Sequence, residues 1–325
     1  MNVKDIVTDI AAKSKTRGKV DGVYFVACGG SLLALYPARY LLERESRTLK
    51  VGHYTANEFV HAAPKSLTKN SIAVFCSLMG TPETEDACQT AKDAGACTIS
   101  FCGNPEARMA KIADYVVPFK SIAKSGTRYM ESNAAPALQL AFELLHQLED
   151  YPHYEQAMQA FAMLDDITED AQRYFAPRAE QFAAQHQQDG LINILAGGPA
   201  LGVGYGFSIC SLMEMQWINA PLINTGEFFH GPFEIVDRQA PFVVFLTEGR
   251  NRPVDERALD FLQQYGGRIT VVDAKELGIN RMNDAVCEYF NHFVLDAAQR
   301  LILDKLAAAR KHDWMSRRYM WHVKY

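Results

Sequence analysis

A chain of 325 residues, 48% hydrophobic and 22% charged, is too long for one typical core and too apolar for disorder, so two domains of ~150 residues are expected. The net charge of −5 supplies no basic field for nucleic acid and no polybasic face for a membrane. Seven cysteines without a C-x-x-C spacing, several of them (Cys76, Cys97, Cys210) inside apolar runs, point to reduced thiols in a cytoplasmic protein. The start, Met-Asn-Val-Lys-Asp, lacks the apolar segment of a signal peptide, and no run approaches the ~18 apolar residues of a spanning helix.

In chain order, residues 2–14 read as a surface helix. Val23–Cys28 is a short apolar run ending in Gly29-Gly30-Ser31, after which Leu32 to Leu42 resumes a helical pattern that Pro37 interrupts. Further strands are expected at Ile72–Cys76, Cys97–Phe101 and Tyr115–Phe119, with helical patterns between them and a closing helix at Ala134–Leu148. Strands that are apolar on both faces and alternate with helices imply parallel βαβ units. Residues 149–155 read as a linker, and helices of mixed composition continue to about Gln187.

The first half is then echoed. Asp21–Gly30 lines up with Asp189–Gly198, Ile72–Cys76 with Phe242–Leu246, Gly95–Ser100 with Gly267–Val272, and Tyr115–Pro118 with His292–Leu295. The fold class expected is α/β: two tandem doubly wound parallel-sheet domains of flavodoxin-like type, over 15–150 and 155–325.

Ligands of open parallel sheets bind beyond the carboxyl ends of the strands. Two loops lie there in the first domain, Gly29-Gly30-Ser31 and Ser77 to Thr84. Small residues let backbone N–H groups approach an anion, the following helix N-terminus adds partial positive charge, and Ser31, Ser77 and Thr81 bring hydroxyl donors. Neither a G-K-[ST] nor a G-x-G-x-x-G pattern is present, so the phosphate of a small molecule fits better than a nucleotide. The bland reading of the same loop is a tight βα turn with Ser31 capping the helix.

In the second domain, Glu214 sits in the apolar run Phe207–Ile218, where a carboxylate either finds a partner or carries a raised pKa. His230 follows in Gly226-Glu-Phe-Phe-His-Gly-Pro-Phe-Glu234, and Gly231-Pro232 forces a defined turn. A Glu and a His of this kind suit proton transfer around a sugar carbonyl. Glu227 and Glu234 read as loop-stabilising partners, and Asp255-Glu-Arg257 as a helix start. Arg317 and Arg318 are either a solvated tail or a tail that folds over the substrate and pairs with a carboxylate or phosphate.

The tandem domains, the Gly-Gly-Ser loop, the Ser…Gly-Thr…Glu-Thr loop and the Glu-Phe-Phe-His-Gly-Pro element resemble the sugar-isomerase (SIS) family over nearly the whole chain. Met213-Glu-Met-Gln-Trp-Ile218, Gly226–Glu234 and the ending Arg317-Arg-Tyr-Met-Trp321 are most similar to the deglycases of phosphorylated Amadori compounds. The resemblance implies cleavage of a 6-phosphorylated fructosamine to glucose 6-phosphate and an amino acid, with no metal or other cofactor. Glu214 would move the proton between sugar carbons one and two, and His230 would open the ring as acid–base partner. Gly29, Gly30, Ser31, Ser77 and Thr81 would hold the phosphate, and Arg318 would touch substrate.

The family's histidine reaches into the neighbouring subunit, so a homodimer with a shared site is implied. Trp321 stands where the related aminating isomerases carry a lysine, and with the Met-Asn start in place of a cysteine nucleophile glucosamine synthesis is not expected. The loop Ser77–Thr84 is one residue shorter than the usual pattern, with Leu78 and Met79 at positions that are usually polar. An aldose–ketose phosphate isomerase and a non-catalytic sugar-phosphate-binding regulator stand as the alternatives.

Overall fold

The structure is a computed structural model that describes residues 1–324. Contacts divide the chain into two units, Met1–Ala162 and Met163–Tyr325. In the first unit, β1 (Gly22–Ala27), β2 (Lys50–Thr55), β3 (Ser71–Ser77), β4 (Cys97–Cys102) and β5 (Tyr115–Pro118) form a parallel sheet of order β2-β1-β3-β4-β5. β1 and β3 are buried at every position, which is why they read as unbroken apolar runs. On one face Tyr24, Val26, Ala73 and Phe75 pack on α3 (Ala56–His61), α4 (Pro82–Asp93) and α5 (Arg108–Ile112) through Phe59, Cys88 and Met109. α1 (Val3–Arg17) and α2 (Gly29–Glu45) both pack on α6 (Ala134–Glu149), and α2 also packs on β1 and β3. Pro37 lies inside α2 without ending it.

Strand β2 has no counterpart in the sequence reading, because Lys50-Val-Gly-His-Tyr-Thr55 at the sheet edge is mostly half-buried or exposed and shows no apolar run. The stretch read as a linker also contracts. α6 runs to Glu149, Asp150 turns in the left-handed region at φ 52°, and the single 33-residue helix α7 begins at Tyr154 and ends at His186.

The second unit repeats the order with one strand fewer. β6 (Asn193–Ala196), β7 (Leu222–Asn224), β8 (Pro241–Leu246) and β9 (Arg268–Asp273) are parallel in the order β7-β6-β8-β9. Leu195, Phe228, Phe242, Val244 and Leu246 pack on Ala258 and Leu262 of α9 (Arg252–Tyr265). The echo at His292–Leu295 is corrected by the structure: these residues open α10 (Asn291–Arg310) rather than form a strand. All four are buried, so the run shows no helical period, and a buried helix and a buried strand look alike over four residues.

Candidate functional site

In the first unit, β1 and β3 are neighbours and deliver both candidate loops to one end of the sheet. β1 is followed by Cys28, whose carbonyl accepts the N–H groups of Ser31 and Leu32 as α2 begins. Gly29 takes φ 51°, a left-handed conformation that costs a glycine little. A side chain added at Gly30 would meet nothing within 4 Å, so the turn is open. Beside it, Ser77 Oγ accepts the N–H groups of Gly80 and Thr81, both at 3.1 Å, and thereby folds the short loop on itself. Thr81 Oγ1 lies 2.9 Å from Thr84 Oγ1 as α4 starts. Leu78 and Met79 point outward, 37% and 64% exposed, so the shortened loop carries its apolar residues away from the hydroxyls.

The Cys76 thiol between the two loops accepts a bond from Asn133 Nδ2 at 3.4 Å. Burial pushes it up to about 11, against the opposing hydrogen bonds of Asn133 and Ser31, and it stays a thiol. Asn133, just before α6, is a polar neighbour that nothing in the local sequence advertises.

The corresponding turn of the second unit, Gly197-Gly198, is filled. A Cβ at Gly197 would lie 2.0 Å from Thr225 Oγ1 and 3.2 Å from Asp255 Oδ1, and one at Gly198 would lie 2.6 Å from Asn251. Asp255 is fully buried, accepting from Thr225 Oγ1 at 2.7 Å, Thr247 Oγ1 at 2.5 Å and Asn251 Nδ2 at 2.9 Å. Burial raises its pKa, with these hydrogen bonds opposing. Asp255 is therefore more than a helix start: it plugs the second turn with the protein's own carboxylate and ties β7, β8 and α9 together. Of the two echoed glycine turns, the one at Gly29-Gly30 is the open one.

Glu214 lies at the last position of a π-helical segment, Gly206–Glu214, that continues α8 (Leu201–Tyr205). π-Turns widen a helix and are frequent at functional sites. The carboxylate finds a partner, as one branch of the sequence reading expected. Arg317 Nη2–H donates to Glu214 Oε1 at 2.5 Å, with the Arg317 side chain 5% and the Glu214 side chain 25% exposed. Nη1 of the same guanidinium donates to the carbonyls of Trp314 and Ser316, at 2.7 and 2.9 Å. The tail is thus folded onto the carboxylate, and Arg317 rather than Arg318 makes the ion pair. Glu214 Oε2 has no hydrogen-bond partner among the described residues.

Beyond Glu214, Trp217 adopts φ 56°, which is rare and strained for a bulky residue. The guanidinium of Arg318 lies 4.0 Å from its ring centroid, and His312 packs edge-on at 4.4 Å. Met213, Glu214, Trp217, Arg317, Arg318 and Tyr319 are among the residues lining a surface cavity of about 410 Å³.

His230 stands apart from this cavity. It follows β7 in the turn ending at Gly231, which takes φ 128°, and Phe228 anchors that turn as a fully buried residue. The imidazole is exposed, and among the described residues it makes no hydrogen bond, ion pair or ring contact. Glu227 and Glu234 are also exposed and their carboxylates hold no partner among the described residues, so the role of loop partner read for them is corrected: Asn224, whose side chain accepts the Gly226 N–H, and buried Phe228 hold the loop. Among the described residues no group of three or more His, Cys, Asp or Glu is placed to hold a metal ion, and no helix is long and apolar enough to cross a membrane.

No family model matches the chain. It is 39% identical over 318 residues, 96% of this chain and 94% of the other, to the fructosamine deglycase FrlB of Bacillus subtilis. The chain belongs to the fructosamine deglycase family. A fructoselysine 6-phosphate deglycase of Escherichia coli is 27% identical over 259 residues, 79% of this chain and 74% of its own. Among solved structures, a Salmonella typhimurium protein provisionally described as a phosphosugar isomerase superposes with a TM-score of 0.96 at 38% identity, covering 100% of this chain and 96% of its own. The C-terminal domain of glucosamine-fructose-6-phosphate aminotransferase from Francisella tularensis, at 15% identity and a TM-score of 0.76 over 95% of this chain and 94% of its own, shares the fold.

Proposed function

We propose that this deglycase family member hydrolyses 6-phosphorylated Amadori products of amino acids to glucose 6-phosphate and the free amino acid. The observation that carries the reading is Glu214, one oxygen clasped by Arg317 and the other unpartnered on a cavity. An oriented carboxylate with one free oxygen is what removal of a proton from carbon one of an open-chain 1-amino-1-deoxyketose requires. The enaminol so formed takes a proton at carbon two and becomes an imine. Water adds to that imine and the carbon–nitrogen bond breaks, consuming one water overall.

The phosphate is assigned to the open loops of the first unit, where Gly29, Gly30 and Ser31 begin α2 and Ser77 and Thr81 lead into α4. Because Ser77 Oγ already accepts two loop N–H groups, its share in phosphate binding is the hydroxyl proton it still has to donate. His230 serves as acid–base partner for ring opening. Its exposure and lack of intrachain partners support a role across a two-fold interface, in which His230 of the partner subunit completes each site.

The test is a screen of 6-phosphorylated fructosamines scored for glucose 6-phosphate and free amine together. Equal amounts of both support the reading. Interconversion of fructose 6-phosphate and glucose 6-phosphate at enzymatic rates, with no amine released from any fructosamine, would instead favour the isomerase.

A further inference from the structure

We infer that Trp217 and Arg318 form the subsite for the amine half of the substrate, in which the Arg318 guanidinium receives a carboxylate borne next to the amine nitrogen; this rests on the deglycase reading above. Three observations within the second unit converge on it. The first is placement: Trp217 and Arg318 line the same cavity of about 410 Å³ as Glu214. The second is the division of labour between the two adjacent arginines. Arg317 is nearly buried and committed to Glu214 and two tail carbonyls, whereas Arg318 is exposed and has no ion pair or hydrogen bond among the described residues. The guanidinium carbon of Arg318 instead lies 4.0 Å from the Trp217 ring centroid, a cation–π contact that holds the group at the cavity while its N–H donors keep no partner among the described residues.

The third observation is the backbone. Trp217 holds a left-handed φ of 56°, a conformation that strains a bulky non-glycine residue. The strain is fixed from both sides: Ile218 N–H donates to Leu212 at 2.9 Å, Arg310 Nη2 donates to the Gln216 carbonyl at 3.3 Å, and Gln216 Nε2 donates to the His312 carbonyl at 3.1 Å. What these contacts secure is an indole that remains 39% exposed on the cavity wall, three residues beyond the carboxylate. A strained aromatic held at a cavity surface is better explained by what it presents than by what it buries.

The size of the cavity also fits. In an amino acid linked through its α-nitrogen, the carboxylate carbon lies three bonds from carbon one, about 4 Å by standard bond lengths. A solvent-open cavity of about 410 Å³ has room for that span. Glu214 is the one acidic residue of the lining and it is paired, so the wall presents Arg318 as its available charge, with Met213, Trp217, Ile218 and Tyr319 as apolar surface.

Two probes that differ in one group decide it: the 6-phosphorylated Amadori products of alanine and of ethylamine, assayed by glucose 6-phosphate release. The wild type should turn over the alanine product with kcat/KM about 10- to 100-fold higher, the range of a charge-assisted hydrogen bond. Arg318→Gln should bring that ratio close to one by lowering the alanine value and sparing the ethylamine value, and Arg318→Lys should recover part of it. Trp217→Leu should weaken the alanine preference through KM while a urea melt reports whether the fold is intact. A wild type that uses both probes equally well, or a preference that survives Arg318→Gln, would overturn the subsite and leave the deglycase reading standing. Release of glucose 6-phosphate from neither probe overturns the subsite; the deglycase reading then stands or falls on the wider fructosamine screen.

Discussion

Replacing Arg317 by Met tests whether the tail orients the carboxylate. The perturbation removes an ion pair whose arginine is 5% exposed and whose glutamate is 25% exposed, together with two bonds to the carbonyls of Trp314 and Ser316. Exposed pairs contribute about 0–1 kcal/mol, whereas breaking a buried pair costs about 3–5 kcal/mol. A pair with one member buried and the other part-exposed belongs between these, about 1–3 kcal/mol, read as a lower urea midpoint. The catalytic effect should exceed the stability effect. With Oε1 released, Glu214 can swing away from a productive position, and a misplacement of about 1 Å costs on the order of 10²-fold in rate. The expected result is kcat for glucose 6-phosphate release down by about 10- to 100-fold with a smaller change in KM. Arg317→Lys should rescue little, since an ammonium cannot serve a carboxylate and two carbonyls with the planar fork of a guanidinium. Wild-type kcat in a folded Arg317→Met protein would refute the orienting role.

Further outcomes are expected elsewhere in the chain. Ser77→Ala with Thr81→Ala should raise KM more than it lowers kcat, because ground state and transition state hold the phosphate alike; an unchanged KM for phosphorylated substrate would remove these loops from the site. Mixing inactive Glu214→Gln and His230→Ala proteins should restore about half of wild-type activity in heterodimers if each site draws His230 from the partner subunit, and nothing if both groups come from one chain. Burial holds His53 and His292 near 4, below their ordinary value of 6.5, with Arg39 adding to the effect at His53 and Arg300 at His292, where Asp296 opposes it. The unfolded chain then takes up protons near pH 6.5 that the folded chain refuses until about 4, so stability is fully present above pH 6.5 and falls as pH drops through that window. Melting temperatures measured from pH 7 to 4 should show that fall, and His53→Gln should make it shallower; an identical slope in the variant would contradict the assignment.

What the sequence made legible followed from local physics. β1 and β3, buried on both faces, appear as continuous apolar runs, and the glycine pairs after β1 and β6 mark the two turns. β2 escaped because an edge strand needs little apolar pattern, and β7 because three residues carry none. His292–Leu295 misled because a helix buried on all sides loses its period. At the site, the apolar run around Glu214 left open either a partner or a raised pKa; the partner it has lies 103 residues away, a pairing no local spacing encodes. The plug formed by Asp255, Thr225 and Thr247 is hidden for the same reason: its members come from three separate segments that meet only when the second sheet forms.

The most direct test of the central claim couples product analysis to Glu214. The wild-type protein is incubated with a panel of 6-phosphorylated fructosamines of amino acids, and glucose 6-phosphate and amino acid are quantified in the same samples, alongside Glu214→Gln. The account predicts equimolar release of both products by the wild type and at least a ~10²-fold loss in a folded Glu214→Gln variant. Release that is not equimolar, or that persists undiminished in the variant, would contradict it.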